Sequence, residues 1–125
     1  MIRPKIRALF VAVALGAVPL AATACSGGAT ISSAEVAGAT IIDVRTVQEF
    51  NSGHLEGAVN YNVEDGTLLR ALSGLDPSGS YIVYCRTGRR SAVAVEQMTA
   101  AGFSNIVDLG SVQDAAKATS LAIIN

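Results

Sequence analysis

The chain has 125 residues, half of them hydrophobic and 15% charged, with a formal charge of −1. That length holds one domain with a modest core rather than two. Three of its nine cationic side chains, Arg3, Lys5 and Arg7, stand at the very start; without them 6 cations face 10 carboxylates, a charge of −4, which excludes a basic nucleic-acid surface or a polybasic membrane-adsorbing face.

In the opening stretch MIRPKIRALFVAVALGAVPLAATAC a basic start precedes an apolar run from Ala8 to Val18, and small residues lead to Cys25. This is the layout of an export signal, expected over residues 1–24. A retained anchor is the rival reading, and Pro19 with the Ala/Thr-rich end favours cleavage. The stretch LAATACSGG resembles the signal of a bacterial lipoprotein. That resemblance implies lipidation of Cys25, a tether over 25–30 and an extracytoplasmic protein held to the cell membrane by its lipid, although ATA fits ordinary secretion as an A-x-A site. Lipidation leaves Cys85 with no intramolecular disulfide partner; a free Cys25 leaves a Cys25–Cys85 bridge open.

The folded domain is expected over residues 31–125. Ser32 to Glu35 has the capping-box pattern and predicts a short helix. The β-branched run ATIIDV predicts a strand to Asp43, and TVQEFNSG a brief helix capped by Thr46 and stopped near Gly53. HLEGAVNYNV reads as a loop and a second short strand. GTLLRALSG reads as a helix whose Leu68, Leu69 and Leu72 form a core stripe. After the turn LDPSGS, the continuous run YIVYC predicts a strand buried on both faces. RSAVAVEQMTAAG predicts an amphipathic helix with Ala92, Val95, Met98 and Thr99 or Ala100 inward and Gly102 as its stop. NIVDLG is a further strand, SVQDAAKAT a last helix, and SLAIIN an apolar tail expected to lie back on the core. Strands alternating with helices imply an α/β domain with a largely parallel sheet, whose ligands sit beyond the carboxyl ends of the strands.

Cys85 stands at one such end. Arg86, Thr87, Gly88 and Arg89 follow it before a helix that starts near Arg90 or Ser91. Backbone amides of a tight loop converge into an anion nest, and the helix N-terminus adds about half a positive charge. Arg86, Arg89 and Arg90 add full charges. Such a field stabilises thiolate over thiol, so Cys85 is expected to be an ionised, exposed nucleophile. Gly88 suits a loop position with positive φ. The bland alternatives are a small core cysteine and solvated arginines. His54, the single histidine, reads as a satisfied loop residue rather than a base, and neither a metal site nor a cofactor is expected.

The stretches IIDVRTVQEFNSGHLEGAVNYNV and YIVYCRTGRRSAVAVEQMTAAGFSNIVDLG together resemble a single-domain rhodanese, a thiosulfate sulfurtransferase, over about residues 31–118. The resemblance implies a small rhodanese-like α/β domain, a central, mostly parallel sheet flanked by helices. It implies a persulfide on Cys85, with Arg86, Thr87, Gly88, Arg89 and Arg90 cradling the anionic sulfur donor. A thiol or cyanide would be the acceptor. Asp43 and Arg45 match the family's motif at the first strand end and are assigned a supporting role in holding loops, as is Ser91. The segment LGSVQDAA departs from the family pattern: Ser111 replaces a second glycine and Ala115 stands near a usual tryptophan, which suggests a smaller core beneath the loop. Two other functions compete. Thiolate phosphatases and arsenate reductases place an arginine six positions after the cysteine, where this chain has Ser91. A sensing or interaction module would leave Cys85 idle.

Overall fold

The computed structural model describes residues 31–125; the expected export signal, Cys25 and the tether lie outside the described residues. The chain runs α1 (Ser33–Gly38), β1 (Ala39–Asp43), α2 (Val47–Ser52), β2 (His54–Leu55), β3 (Val59–Asn60), α3 (Thr67–Leu72), β4 (Ser80–Cys85), α4 (Arg89–Ala100), β5 (Ile106–Ser111), α5 (Val112–Thr119) and β6 (Ile123–Ile124). Two helices begin at complete capping boxes. Ser32 and Glu35 close the start of α1, and Thr46 and Glu49 that of α2, each pair satisfying helix amides that would otherwise lack partners.

Four strands form a parallel sheet in the order β3-β1-β4-β5. β4 is central and its last five residues are buried, as its unbroken apolar sequence requires. Alternation along the strands divides the core. Ile42, Val83, Cys85 and Val44 face α3 and α4 with Leu68, Leu72, Ala94 and Met98, while Ile41, Ile82 and Tyr84 face α5 with Leu109, Val112 and Ala115. Each fully buried aliphatic side chain there contributes about 1.5–3 kcal/mol.

Three local expectations are corrected. The inward stripe of α4 is Ser91, Ala94 and Met98, with Ala92, Thr99 and Ala100 exposed and Val95 only half-buried. The stripe is offset because Ser91 occupies the first core-facing position, its hydroxyl donating to the carbonyl of Gly88 at 3.0 Å. Leu69 is 54% exposed, since six residues of α3 bury only Leu68 and Leu72. The HLEGAVNYNV segment holds two dipeptide strands rather than one: β3 joins the sheet, and β2 pairs antiparallel with β6. That second pairing is how the tail returns to the body, and Leu121 packs against the α5 side of the core while Ile123 and Ile124 stay largely exposed.

Small residues bring α5 close to the sheet. Ala115 is fully buried, and Thr119 locks the helix by donating to the Ala115 carbonyl at 2.7 Å. Ser111 caps α5, its hydroxyl accepting from the amide of Asp114 at 3.1 Å. The side chain that stands in for a second glycine thus starts the last helix.

Candidate active site

Cys85 is the last residue of β4, and an irregularity in the β4–β5 pairing sets what faces it. Val83 is opposite Asp108 but Cys85 is opposite Ser111, so β5 carries one extra residue across the step. Gly110, with φ +74°, supplies the left-handed turn that such a bulge needs. A Cβ on Gly88, itself at φ +95°, would come within 3.5 Å of the Cα of Gly110. The two glycines let the loop after β4 settle against the end of β5.

That loop closes on the sulfur. The amide of Gly88 donates to Cys85 Sγ at 2.8 Å, and the Ser91 hydroxyl lies 3.6 Å from it. Burial acts most strongly on the thiol and pushes its pKa up. The Ser91 amide and hydroxyl and the amides of Gly88 and Thr87 outweigh it, so the pKa lies below the ordinary thiol value. The thiolate is therefore held by backbone donors of the loop and of the first turn of α4, which Gly88 begins in a left-handed conformation.

The expectation of an exposed sulfur is corrected: Cys85 has no exposed surface. The physical reason is the loop itself. With the Gly88 amide 2.8 Å and the Ser91 hydroxyl 3.6 Å from Sγ, the loop is closed around one sulfur atom, and an incoming reagent needs it to widen.

The arginines divide by their partners. Arg90 reaches α2, donating to both carboxylate oxygens of Glu49 at 2.6 and 2.9 Å, with Glu64 3.9 Å from its Nε. The Arg90 hydrogen bonds hold the Glu49 carboxyl down at about 2. Glu49 also completes the α2 capping box, so one side chain ties α2 to the active loop. Arg86 and Arg89 are exposed and make no ion pair among the described residues.

Asp43 and Arg45 form a buried pair at the end of β1, next to β4 in the sheet. Arg45 donates through Nε and Nη2 to the carboxylate, at 2.7 Å for the shortest bond, and through Nη2 to the carbonyl of Gly53 at 2.5 Å. Asn60 bridges the carbonyls of Asp43 and Arg45, while the Arg45 guanidinium lies 5.8 Å above the Tyr84 ring. Burial opposes the charge of Arg45, and the Asp43 carboxylate more than restores it. The Tyr84 hydroxyl accepts from the amide of Leu55 at 3.0 Å, and burial raises its pKa. This network holds the β1–α2 turn and β2 in place; it lies on the side of the sheet opposite Cys85. His54 stacks on Phe50 with ring centroids 3.7 Å apart, its Nδ1 2.8 Å from the Phe50 carbonyl.

Sequence reasoning placed Cys85 and its loop, and missed Glu49 and Gly110. Glu49 carried a visible signal, the T-x-x-E capping box, but its partner Arg90 lies 41 residues away.

The sequence pattern of the rhodanese-like domain matches residues 29–115. The chain belongs to the rhodanese-like domain family. It is similar to the thiosulfate sulfurtransferase PspE of Escherichia coli (strain K12), 29% identical over 75 residues that cover 60% of this chain and 72% of PspE. Among solved structures, the rhodanese-like domain of the Alr3790 protein from Anabaena is 32% identical with a TM-score of 0.61, covering 70% of this chain and 99% of that one. A rhodanese with anions from E. coli is 26% identical with a TM-score of 0.59, covering 69% and 96% of the two chains. The rhodanese-like α/β fold expected from sequence is the fold observed.

Proposed function

We propose that this rhodanese-like domain is a sulfurtransferase that carries a sulfane sulfur as a persulfide on Cys85. One observation carries the reading: the amides of Thr87, Gly88 and Ser91 converge on Sγ at the carboxyl end of the central strand and depress its pKa. A thiolate in an amide nest is a nucleophile whose surroundings also stabilise a second sulfur bearing negative charge.

In the loading step Sγ attacks the outer sulfur of thiosulfate. The Sγ–S bond forms as the S–S bond of thiosulfate breaks, and sulfite leaves with the bonding electron pair. Arg86 and Arg89, exposed beside the loop, attract the dianion. The amides that now close on Sγ turn to the added sulfur once the loop widens. A thiol or cyanide then removes that sulfur and returns Cys85 as thiolate. Similarity to PspE and to the anion-holding rhodanese supports this chemistry. The proposal extends to location: residues 1–25 argue for an extracytoplasmic domain attached by lipid on Cys25.

Complete burial of Cys85 favours a second reading, an interaction module in which the sulfur stays idle. Intact-protein mass spectrometry after thiosulfate treatment separates the two. Sulfur transfer requires one added sulfur atom that cyanide removes and that Cys85→Ser never acquires; an unchanged mass in the native protein refutes it.

A further inference from the structure

Among the described residues β5 is an outer strand of the parallel sheet, with no strand beyond it. Alternate residues of such a strand turn their backbone groups toward the neighbour. The Tyr81 amide donates to the Asn105 carbonyl at 2.9 Å, and the register of Tyr81 with Ile106 and Val83 with Asp108 makes Val107 and Leu109 the next inward residues. The amides and carbonyls of Ile106 and Asp108 therefore face outward, and none of them bonds to another backbone group among the described residues. An open edge of this kind is a template for another strand.

The two faces of the edge differ. Val107 shares a register position with Ile82, stands on the α5 side and is 38% exposed. Beside it a cavity of about 290 Å³ opens at the amino ends of β4 and β5, the opposite end of β4 from Cys85. Its apolar wall is Ile31, Ala34, Ile82 and Val107, while Asn105 and Ser80, also in the lining, are bonded to each other at 2.7 Å. The volume lies just under the usual range of small-molecule sites, about 300–1,000 Å³, and suits one aliphatic side chain better than a free ligand. Asp108 shares a register position with Val83 and stands on the α4 side, exposed. One of its oxygens accepts from the Gly110 amide at 2.9 Å, and no cation pairs with it among the described residues.

We propose that the β5 edge docks an extended segment of a partner protein, which joins the sheet as a further strand and carries an aliphatic residue next to a lysine or arginine. Main-chain bonds to Ile106 and Asp108 supply affinity. Strand alternation then sets the aliphatic side chain over Val107 into the cavity and the cation beside Asp108. Charge selects this occupant over two others. A second copy of the chain brings another Asp108 to the edge, and like charges on paired strands repel. The chain's own residues 26–30, SGGAT, bring no cation and two glycines, which strands disfavour. This surface is independent of the chemistry at Cys85.

The test follows amide exchange by NMR in the isotope-labelled full chain. The probe is the blocked peptide Thr-Ile-Lys-Ile-Thr-Ser, or the same peptide with glutamate in place of lysine. The Ile106 and Asp108 amides should exchange readily in the free protein and slow about tenfold with the lysine peptide, while the inward Leu109 amide stays unchanged. The lysine peptide should bind about fivefold more tightly than the glutamate peptide. Asp108→Asn, which keeps an acceptor for the Gly110 amide, should bring the two within about twofold. Ala34→Trp, at an exposed position on the cavity wall, should weaken both about fivefold. Thermal unfolding checks that both variants fold. Slow exchange of Ile106 and Asp108 in dilute protein without peptide would give the edge to the chain's own segment, and slowing with protein concentration alone would give it to a second copy. Either result overturns the proposal, as do unchanged exchange rates with the lysine peptide or equal binding of the two peptides by the native protein.

Discussion

The ends of β1 and β4 lie side by side in the sheet, each is followed by an arginine, and the two arginines are put to opposite uses. At the end of β1, Arg45 is 6% exposed and fully engaged by Asp43 and the Gly53 carbonyl. At the end of β4, Arg86 is exposed and unpaired among the described residues, and the backbone amides after it point at a sulfur. The first strand end is satisfied by the protein's own groups. The second leaves donors and charge for an anion supplied from outside. A buried charge must be paired to be tolerated, so pairing marks framework, and an unpaired cation at a strand end marks a place for ligand.

Breaking the framework should have the largest effect on stability. Asp43→Ala leaves the Arg45 guanidinium buried without its carboxylate, and urea denaturation should show a loss of about 3–5 kcal/mol. If the variant is as stable as the native protein, the end of β1 is not the framework described. Charge removal at the β4 end should do the reverse. Arg86→Gln and Arg89→Gln should each lower kcat/KM for thiosulfate about tenfold, while stability stays within about 0.5 kcal/mol. An equal loss of stability and activity in these variants would erase the contrast.

Glu49 sharpens the comparison because it joins the two regions. Glu49→Gln removes the bidentate partner of Arg90, at a cost of about 1 kcal/mol, and should speed alkylation of Cys85 a few-fold by loosening the cover over it. The pH dependence has a definite sign. The folded-state pKa of Glu49 is depressed from 4.5 to about 2, so its contribution is complete above the ordinary value and is lost as pH falls through that window. Stability of the native protein between about pH 5 and pH 2 should fall more steeply than that of Glu49→Gln; parallel curves would contradict the pair.

Much of the fold was legible because local chemistry and tertiary role agree. The capping box at Ser32, the Thr46 cap, the β-branched run ending at Asp43 and the buried YIVYC strand read directly from residue type and spacing. The loop after Cys85 was legible for the same reason: an arginine- and glycine-rich stretch between strand and helix has few alternatives. What failed depends on three-dimensional partners. The buried face of α4 was misplaced because Ser91 looks like a surface residue until its bond to Gly88 is known. Leu69 was misplaced because helical spacing does not reveal how few residues a short helix can bury. The sulfur was expected to be accessible because charge in the sequence says nothing about whether the loop is contracted. Ala115, where a tryptophan would suit the family pattern, is fully buried at the close approach of α5.

The central claim is that backbone amides and the Ser91 hydroxyl keep the Cys85 sulfur ionised despite its burial. The most direct measurement is the pH dependence of the alkylation rate of Cys85 by iodoacetamide, because a closed loop lowers every rate but leaves the midpoint at the thiol pKa. We expect a midpoint below the ordinary thiol value of about 8.5, moving upward in Ser91→Ala. A midpoint at or above that value in the native protein would contradict the claim.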